Sequence, residues 1–152
     1  MIFGFIHDHK FVERDNIVYS TGGLSRSAWH RFNLNDNNVI VISRGLRSNH
    51  TDDLVISSEK GVEFILLNSL KDKLDYFRKI RYVISTVSTA VQSVDIVVVR
   101  MPSVLGLFGA FLSKYHRKVL VVEVVGCPKD AMWNYGGLIP KVISMPYYLL
   151  MY

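Results

Sequence analysis

The 152-residue chain contains one cysteine, Cys127, and therefore cannot form an intramolecular disulfide. This excludes a disulfide scaffold and makes a reducing, cytoplasmic compartment the simpler expectation. No uninterrupted apolar run approaches the roughly 20 residues that a membrane-spanning helix needs. The apolar start, Met1 to Ile6, is too short for a secretory signal because it runs directly into charged residues.

Two phosphate-binding fingerprints are also missing. The sequence has neither G-x-G-x-x-G nor G-x-x-x-x-G-K-[ST], which argues against a standard nicotinamide enzyme and against a P-loop NTPase. The basic residues are scattered and are not interleaved with aromatic residues as in a base-stacking surface. We therefore expect no nucleic-acid partner.

The composition is that of a folded domain. Hydrophobic residues make up 49% of the chain and charged residues 20%, which is enough for one real core. The balance of 18 Lys+Arg against 13 Asp+Glu favours anionic partners but selects none of them. Without repeats, low-complexity segments or a linker, residues 1–152 are predicted to form a single domain.

Hydrophobic periodicity predicts alternating strands and helices. The predicted strands are Ile2–Ile6, Asn38–Ser43, Gly61–Leu67, Ile96–Val99 and Val119–Val122, and the predicted helices are Leu24–Leu34, Asp72–Val94 and Ser103–His116. A long loop after the first strand carries a small hairpin in which FVE and IVY flank Arg14–Asn16. Residues 44–61 are mostly surface loop, with room for an edge strand. The pattern predicts an α/β domain with a Rossmann-like, doubly wound, mostly parallel sheet.

Charged residues stand at the ends of two predicted strands. Arg100 closes the strand Ile96–Val99, and Glu123 lies near the end of the next one, followed by a loop to Asp130. Ligands of open parallel sheets bind outside the carboxyl ends of the strands, so a site is predicted there. Glu123 could bind a sugar hydroxyl, orient a base or cap a backbone group. The alternative for Arg100 is electrostatic capping of the sheet edge.

Gly22 and Gly23 lie between the first strand and the first helix. Two glycines allow backbone N–H groups to approach a phosphate or a sugar, and a helix N-terminus favours negative charge. The alternative is a loop that needs positive φ before the helix.

His7 and His9 lie two residues apart at the carboxyl end of the first strand. They could be half of a metal site, but no later histidine cluster completes a ligand set. Hydrogen bonding to substrate hydroxyls or phosphates is the favoured role, with a structural pair close behind it. Cys127 precedes Pro128 without an activating partner and is interpreted as a small buried residue.

Four segments together resemble the N-terminal domain of bacterial retaining GT-B glycosyltransferases (family 4-like), which build capsular, O-antigen and exopolysaccharide chains. They are FIHDHKFVE, YSTGGLS with Trp29 behind it, DIVVVRMPS and VVEVVGCPKDAMWN. The resemblance implies that the glycine loop faces an interdomain cleft close to the donor diphosphate and the acceptor. It also implies an acceptor side lined by Arg100, Glu123 and Asp130, with His7 and His9 nearby.

In such enzymes the nucleotide-sugar donor is held by a C-terminal domain with a Glu-x7-Glu motif, which has no counterpart here. The chain is therefore expected to be half of an enzyme at most, inactive in isolation, whether a truncated product or a natural half. The resemblance implies a sugar or lipid-linked sugar acceptor, metal-independent transfer with no cofactor, and a cytoplasmic location at the inner face of the membrane.

Peripheral contact with anionic lipid would suit a group of basic residues near the apolar end of the chain. They are Lys114, Arg117, Lys118, Lys129 and Lys141. The alternative for this group is ordinary solvation of helix ends. The alternative for the whole chain is a free-standing Rossmann-like binding or interaction module without catalysis. A metal-dependent hydrolase is the third hypothesis.

Overall fold

The computed structural model describes residues 1–46, 54–68 and 78–126. Within these ranges the chain forms seven strands, two α-helices and one 3₁₀ helix. The strands are β1 (Ile2–Arg14), β2 (Ile17–Ser20), β3 (Asn38–Leu46), β4 (Val55–Ile56), β5 (Val62–Leu66), β6 (Ile96–Met101) and β7 (Val119–Val124). The helices are the 3₁₀ helix (Arg26–Phe32), α1 (Ile80–Ser93) and α2 (Val104–Tyr115).

The strands form one mixed sheet whose larger part is parallel. Five strands run parallel in the order β5-β3-β1-β6-β7. The second half of β1 pairs antiparallel with β2, and β2 pairs antiparallel with the short strand β4. The expected α/β domain with a mostly parallel central sheet is confirmed.

Alternating residues of the strands feed two separate apolar clusters. Ile6, Ile42, Val97 and Val99 pack with residues of α1 and α2. The strand residues that alternate with these point to the opposite face of the sheet and pack with the 3₁₀ helix. That second cluster contains Phe5, Phe11, Val39, Val41 and Val98 together with Trp29 and Phe32. The sheet therefore has helical cover on both faces, as buried parallel strands require.

The first strand is longer than predicted. Instead of ending at Ile6, β1 continues to Arg14, because its second half gains a partner in β2. The predicted hairpin is confirmed at the end of this strand. Its two turn residues, Asp15 and Asn16, have φ values of 50° and 60°, as a two-residue hairpin turn requires.

Two predicted helices also differ from the structure. The segment Leu24–Leu34 forms only the 3₁₀ helix, which ends where Asn33 adopts a left-handed conformation. For Asp72–Val94, the described part is α1 from Ile80, while residues 72–77 lie outside the described ranges. The other predicted helix and strands are present with shifts of a few residues at their ends, and β4 is the edge strand.

The side chain of Asp8 ties β1 to the start of α2. Its Oδ2 accepts hydrogen bonds from the backbone N–H groups of Val104 and Leu105. Ser103, the residue before the helix, accepts a hydrogen bond from the N–H of Gly106 at 2.8 Å. Three N–H groups of the first helical turn are thus satisfied by two side chains.

Replacing Asp8 with alanine is expected to lower the free energy of unfolding by about 1 kcal/mol, because two helix N–H groups lose their acceptor. Urea unfolding of the variant measures this loss. Glu13→Ala, which removes an exposed carboxylate from the same strand, is the matched control and should change stability by less than about 0.5 kcal/mol. Equal losses in both variants would contradict the capping role.

Candidate functional site at the carboxyl edge of the sheet

The candidate site begins where β1 and β6 part. Ile6 and Val99 are the last paired residues of these two parallel strands, and His7 and Arg100 follow them. On its other side, β1 has an irregular register with β3 between Ile6 and Lys10. This places the His7–His9 segment at the edge where a ligand of a parallel sheet is expected.

The irregular segment is held in place by a side chain of β3. The hydroxyl of Ser43 in β3, a wholly buried residue, lies 2.7 Å from the carbonyl oxygens of both His7 and His9 and donates to them. With these carbonyls held, the two imidazoles form a row with the aromatic rings of β1. Ring centroids are separated by 6.4 Å from Phe5 to His7, 6.4 Å from His7 to His9, and 4.8 Å from His9 to Phe11.

His7 is held with one ring nitrogen toward the protein. Its Nδ1 lies 3.3 Å from the carbonyl oxygen of Arg100, which can only accept, so Nδ1 carries the proton. Burial lowers the pKa of His7 below its usual 6.5, and the charge of Arg100 acts in the same direction. His7 is therefore neutral at pH 7, and its Nε2 is a hydrogen-bond acceptor.

His9 is linked to the glycine loop through Ser20. The hydroxyl of Ser20 donates to the carbonyl of Gly22 at 2.9 Å and accepts from the N–H of Gly22 at 3.1 Å. His9 Nε2, 2.8 Å away, donates to the same oxygen. Burial lowers the pKa of His9 to about 4, helped by repulsion from His7 when that ring is protonated and by the charge of Arg100. The structure thus contains a neutral His9 that braces the loop.

The lowered pKa of His9 predicts a pH dependence of stability. In the unfolded chain a histidine has a pKa of about 6.5, so it takes up a proton at a pH where folded His9 stays neutral. The free energy of unfolding therefore falls as the pH drops from about 6.5 toward about 4. His9→Gln, which keeps an N–H donor for Ser20, should lose less stability than the wild type between pH 7 and pH 5. Urea midpoints at the two pH values measure the difference, and parallel losses would contradict the assignment.

Gly22 and Gly23 are exposed, and nothing inside the described protein requires glycine at either position. Among the described glycines only Gly61 has positive φ, so the alternative of a positive-φ loop is wrong. A Cβ added at Gly22 would meet only His9, at 3.6 Å, and a Cβ added at Gly23 would meet nothing within 4 Å. The expected α-helix N-terminus is also absent, because the helix that follows is a short 3₁₀ helix.

Arg100 and Glu123 are paired residues of β6 and β7, and their side chains form an ion pair with Arg100 Nε 3.1 Å from Oε2. Arg31, at the end of the 3₁₀ helix, binds the other carboxylate oxygen at 2.8 Å. Both guanidinium carbons lie 5.3 Å from the centroid of the Phe5 ring. Two cations and one anion therefore meet beside His7.

No local pattern in the sequence singles out Arg31 or Ser20 as a site residue. Arg31 is three positions from the end of a predicted helix and comes to Glu123 only through the folding of distant segments. Ser20 ends β2, and its contact with His9 depends on the hairpin register. Of the predicted site residues, Asp130 lies outside the described ranges, as does Cys127. The Lys118 ammonium donates to the carbonyls of Gln92 and Val94, and contact of the basic group with anionic lipid stays a prediction.

Across residues 1–46, 54–68 and 78–126, no group of three or more His, Cys, Asp or Glu side chains is arranged to hold a metal ion. His9 Nε2 and His7 Nδ1 already have protein partners. None of the helices in the described part of the chain is long and apolar enough to cross a membrane.

The chain is similar to Protein CapJ of Staphylococcus aureus. The two are 29% identical over 142 residues, which is 93% of this chain and 36% of CapJ. The chain thus spans little more than a third of the length of the curated relative it matches. No family model and no solved structure matches the chain.

Proposed function

We propose that this chain is the acceptor-binding domain of a retaining GT-B glycosyltransferase that transfers a sugar from a nucleotide sugar to a growing capsular polysaccharide. The observation that carries the proposal is the joining of His7, Arg31, Arg100 and Glu123 at the carboxyl edge of the parallel sheet. The similarity to CapJ, whose name refers to the capsule, extends over 93% of the chain and supports the polysaccharide context.

The chemistry of the edge suits a saccharide. His7 is neutral at pH 7 and offers an acceptor to a sugar hydroxyl, whereas the two arginines offer donors. The exposed Gly22-Gly23 loop leaves room for a ring or a phosphate to approach the backbone, since no side chain projects there. We assign the hydroxyl contacts to His7, the anionic contacts to the arginines, and the bracing of the loop to His9 through Ser20.

We expect the nucleotide-sugar donor to be held outside this domain, by a second domain of the GT-B type, so the purified 152-residue chain should show no glycosyl transfer. Incubation with radiolabelled nucleotide sugars and membranes of the source strain tests this. Turnover by the chain alone would contradict the division of labour. The chemistry proposed here calls for no metal and no cofactor.

The proposed function is tested in the source strain by deleting the gene and restoring it with variants. Wild type should restore capsular polysaccharide, whereas Arg100→Ala should lower the yield at least about tenfold, since a charged hydrogen bond contributes about 1.5–3 kcal/mol. Arg14→Ala, which removes an arginine paired with Asp15 in the exposed hairpin, is the control with the same change in charge.

Polysaccharide at the wild-type level in the deletion strain would overturn the proposed function. It would instead favour a free-standing binding module without catalysis. If the deletion strain loses its polysaccharide and Arg100→Ala restores it as well as Arg14→Ala does, the capsular role stands but Arg100 does not belong to the site. Thermal unfolding of both variants, measured alongside, separates a loss of contacts at the site from a loss of fold.

A further inference from the structure

Arg31 and Arg100 hold the Glu123 carboxylate between two guanidinium groups that come from different parts of the fold. Arg31 Nη1 lies 2.8 Å from Oε1 and Arg100 Nε lies 3.1 Å from Oε2. Each guanidinium has five N–H donors, and each spends one nitrogen on Glu123. The group carries two positive charges and one negative charge, so its net positive charge attracts an external anion.

The surroundings strengthen this attraction. The side chains of Arg100 and Glu123 are only 20% and 25% exposed, and that of Arg31 is 37% exposed. Both guanidinium groups lie over the ring of Phe5, which is itself wholly buried. Charge pairs that are partly shielded from water are screened less than pairs on an open surface.

Next to the two arginines lies a neutral acceptor. His7 Nδ1 is bonded to the carbonyl of Arg100, so the Nε2 lone pair is available beside the guanidinium of the same residue. A molecule that fits this arrangement carries one anionic group for the arginines and hydroxyl groups for the imidazole. A sugar acid has both.

We propose that Arg31 and Arg100 bind the carboxylate of a uronic acid residue in the saccharide acceptor, and that Glu123 occupies this position when the sugar is absent. The group held now is a planar carboxylate with one guanidinium at each oxygen, and a sugar carboxylate reproduces both contacts. Glu123 is then an internal competitor of the ligand rather than one of its contacts. This inference rests on the proposed function, because it names the class of sugar that the same site takes.

Titration of the full chain with glucuronate at low salt, followed by NMR, tests the proposal, with glucose as the uncharged match. Glucuronate should bind at least about tenfold more tightly than glucose, the size expected for charge-assisted hydrogen bonds. Arg31→Gln and Arg100→Gln should each weaken glucuronate binding about tenfold. Arg14→Gln, in the exposed hairpin, should leave it unchanged.

The sign of the Glu123 effect is the decisive result. Glu123→Gln removes the competing charge and should tighten glucuronate binding by about tenfold; Glu123→Ser, which also shortens the side chain, should act in the same direction. Weaker binding in a folded Glu123→Ser chain would overturn the proposal, because Glu123 would then contact or position the sugar. Inorganic phosphate, used as a third probe, tests whether the arginines prefer a carboxylate to another anion. Phosphate that binds as tightly as glucuronate would overturn the carboxylate assignment.

The two proposals fail differently. If glucuronate does not bind the chain but deletion of the gene abolishes the capsule, the uronic acid inference is wrong and the proposed function stands. If glucuronate binds tightly but deletion of the gene leaves capsular polysaccharide unchanged, the proposed function is wrong and the uronic acid inference stands.

Discussion

Replacing Trp29 with alanine is expected to lower the free energy of unfolding by about 3–5 kcal/mol, the loss typical of a buried aromatic side chain. Trp29 is wholly buried and packs edge-on against Phe5 and Phe64 at centroid distances of 5.5 and 5.9 Å. Its indole N–H also donates to the carbonyl of Ser57 at 2.8 Å. The total free energy of unfolding of a small domain is only about 5–15 kcal/mol, so the variant should be close to unfolding at room temperature.

Urea unfolding followed by circular dichroism measures this loss. Trp29→Phe keeps most of the apolar volume but leaves the buried Ser57 carbonyl without its donor, so it should cost about 1–3 kcal/mol. Arg31 lies two positions away on the same 3₁₀ helix, and detachment of that helix would also release Arg31 from Glu123. A Trp29→Ala chain as stable as the wild type would show that the aromatic cluster does not hold the 3₁₀ helix on the sheet.

The second large effect is expected on binding. Gly22→Leu places a bulky side chain in the exposed loop, where the backbone has ordinary φ and the nearest atom to a Cβ is His9 Cε1 at 3.6 Å. Stability should therefore change by less than about 0.5 kcal/mol. Saccharide binding should fall at least about tenfold, because the added side chain fills the space in front of His9 and blocks the approach of a ligand to the loop.

Isothermal titration with capsular oligosaccharide measures the binding of this variant. Asn35→Leu is the matched control, since it adds the same side chain to an exposed turn before β3, at the opposite end of the sheet. If Gly22→Leu binds oligosaccharide as well as Asn35→Leu does, the glycine loop does not face the ligand.

Local patterns in the sequence were enough to predict the part of the fold from β6 to β7. A continuous apolar run predicts a buried strand, and helical spacing after Pro102 predicts α2, because both signals lie within one element. The position of Arg100 and Glu123 at the same edge of the sheet was also predicted, since the two lie near the ends of neighbouring parallel strands, although their ion pair was not. These predictions needed no knowledge of distant contacts.

The remaining features depend on contacts between distant segments. Nothing local indicates that β1 continues through the polar residues His7–Lys10, because its second half is held by β2 and by Ser43 of β3. The 3₁₀ helix replaces a predicted α-helix where Trp29 is bonded to Ser57. Arg31 reaches Glu123 only because that helix packs on the face of the sheet that carries Phe5, Val41 and Val98.

The central claim, that a saccharide binds at the carboxyl edge of the sheet, is tested most directly by NMR of the histidine side chains. The chain has five histidines, of which His7 and His9 lie at this edge while His30 and His116 lie elsewhere on the fold. On addition of oligosaccharide from partially hydrolysed capsule, we expect the imidazole signals of His7 and His9 to shift and those of His30 and His116 to stay in place. Shifts confined to His30 or His116, or no shift in any of them, would contradict the account.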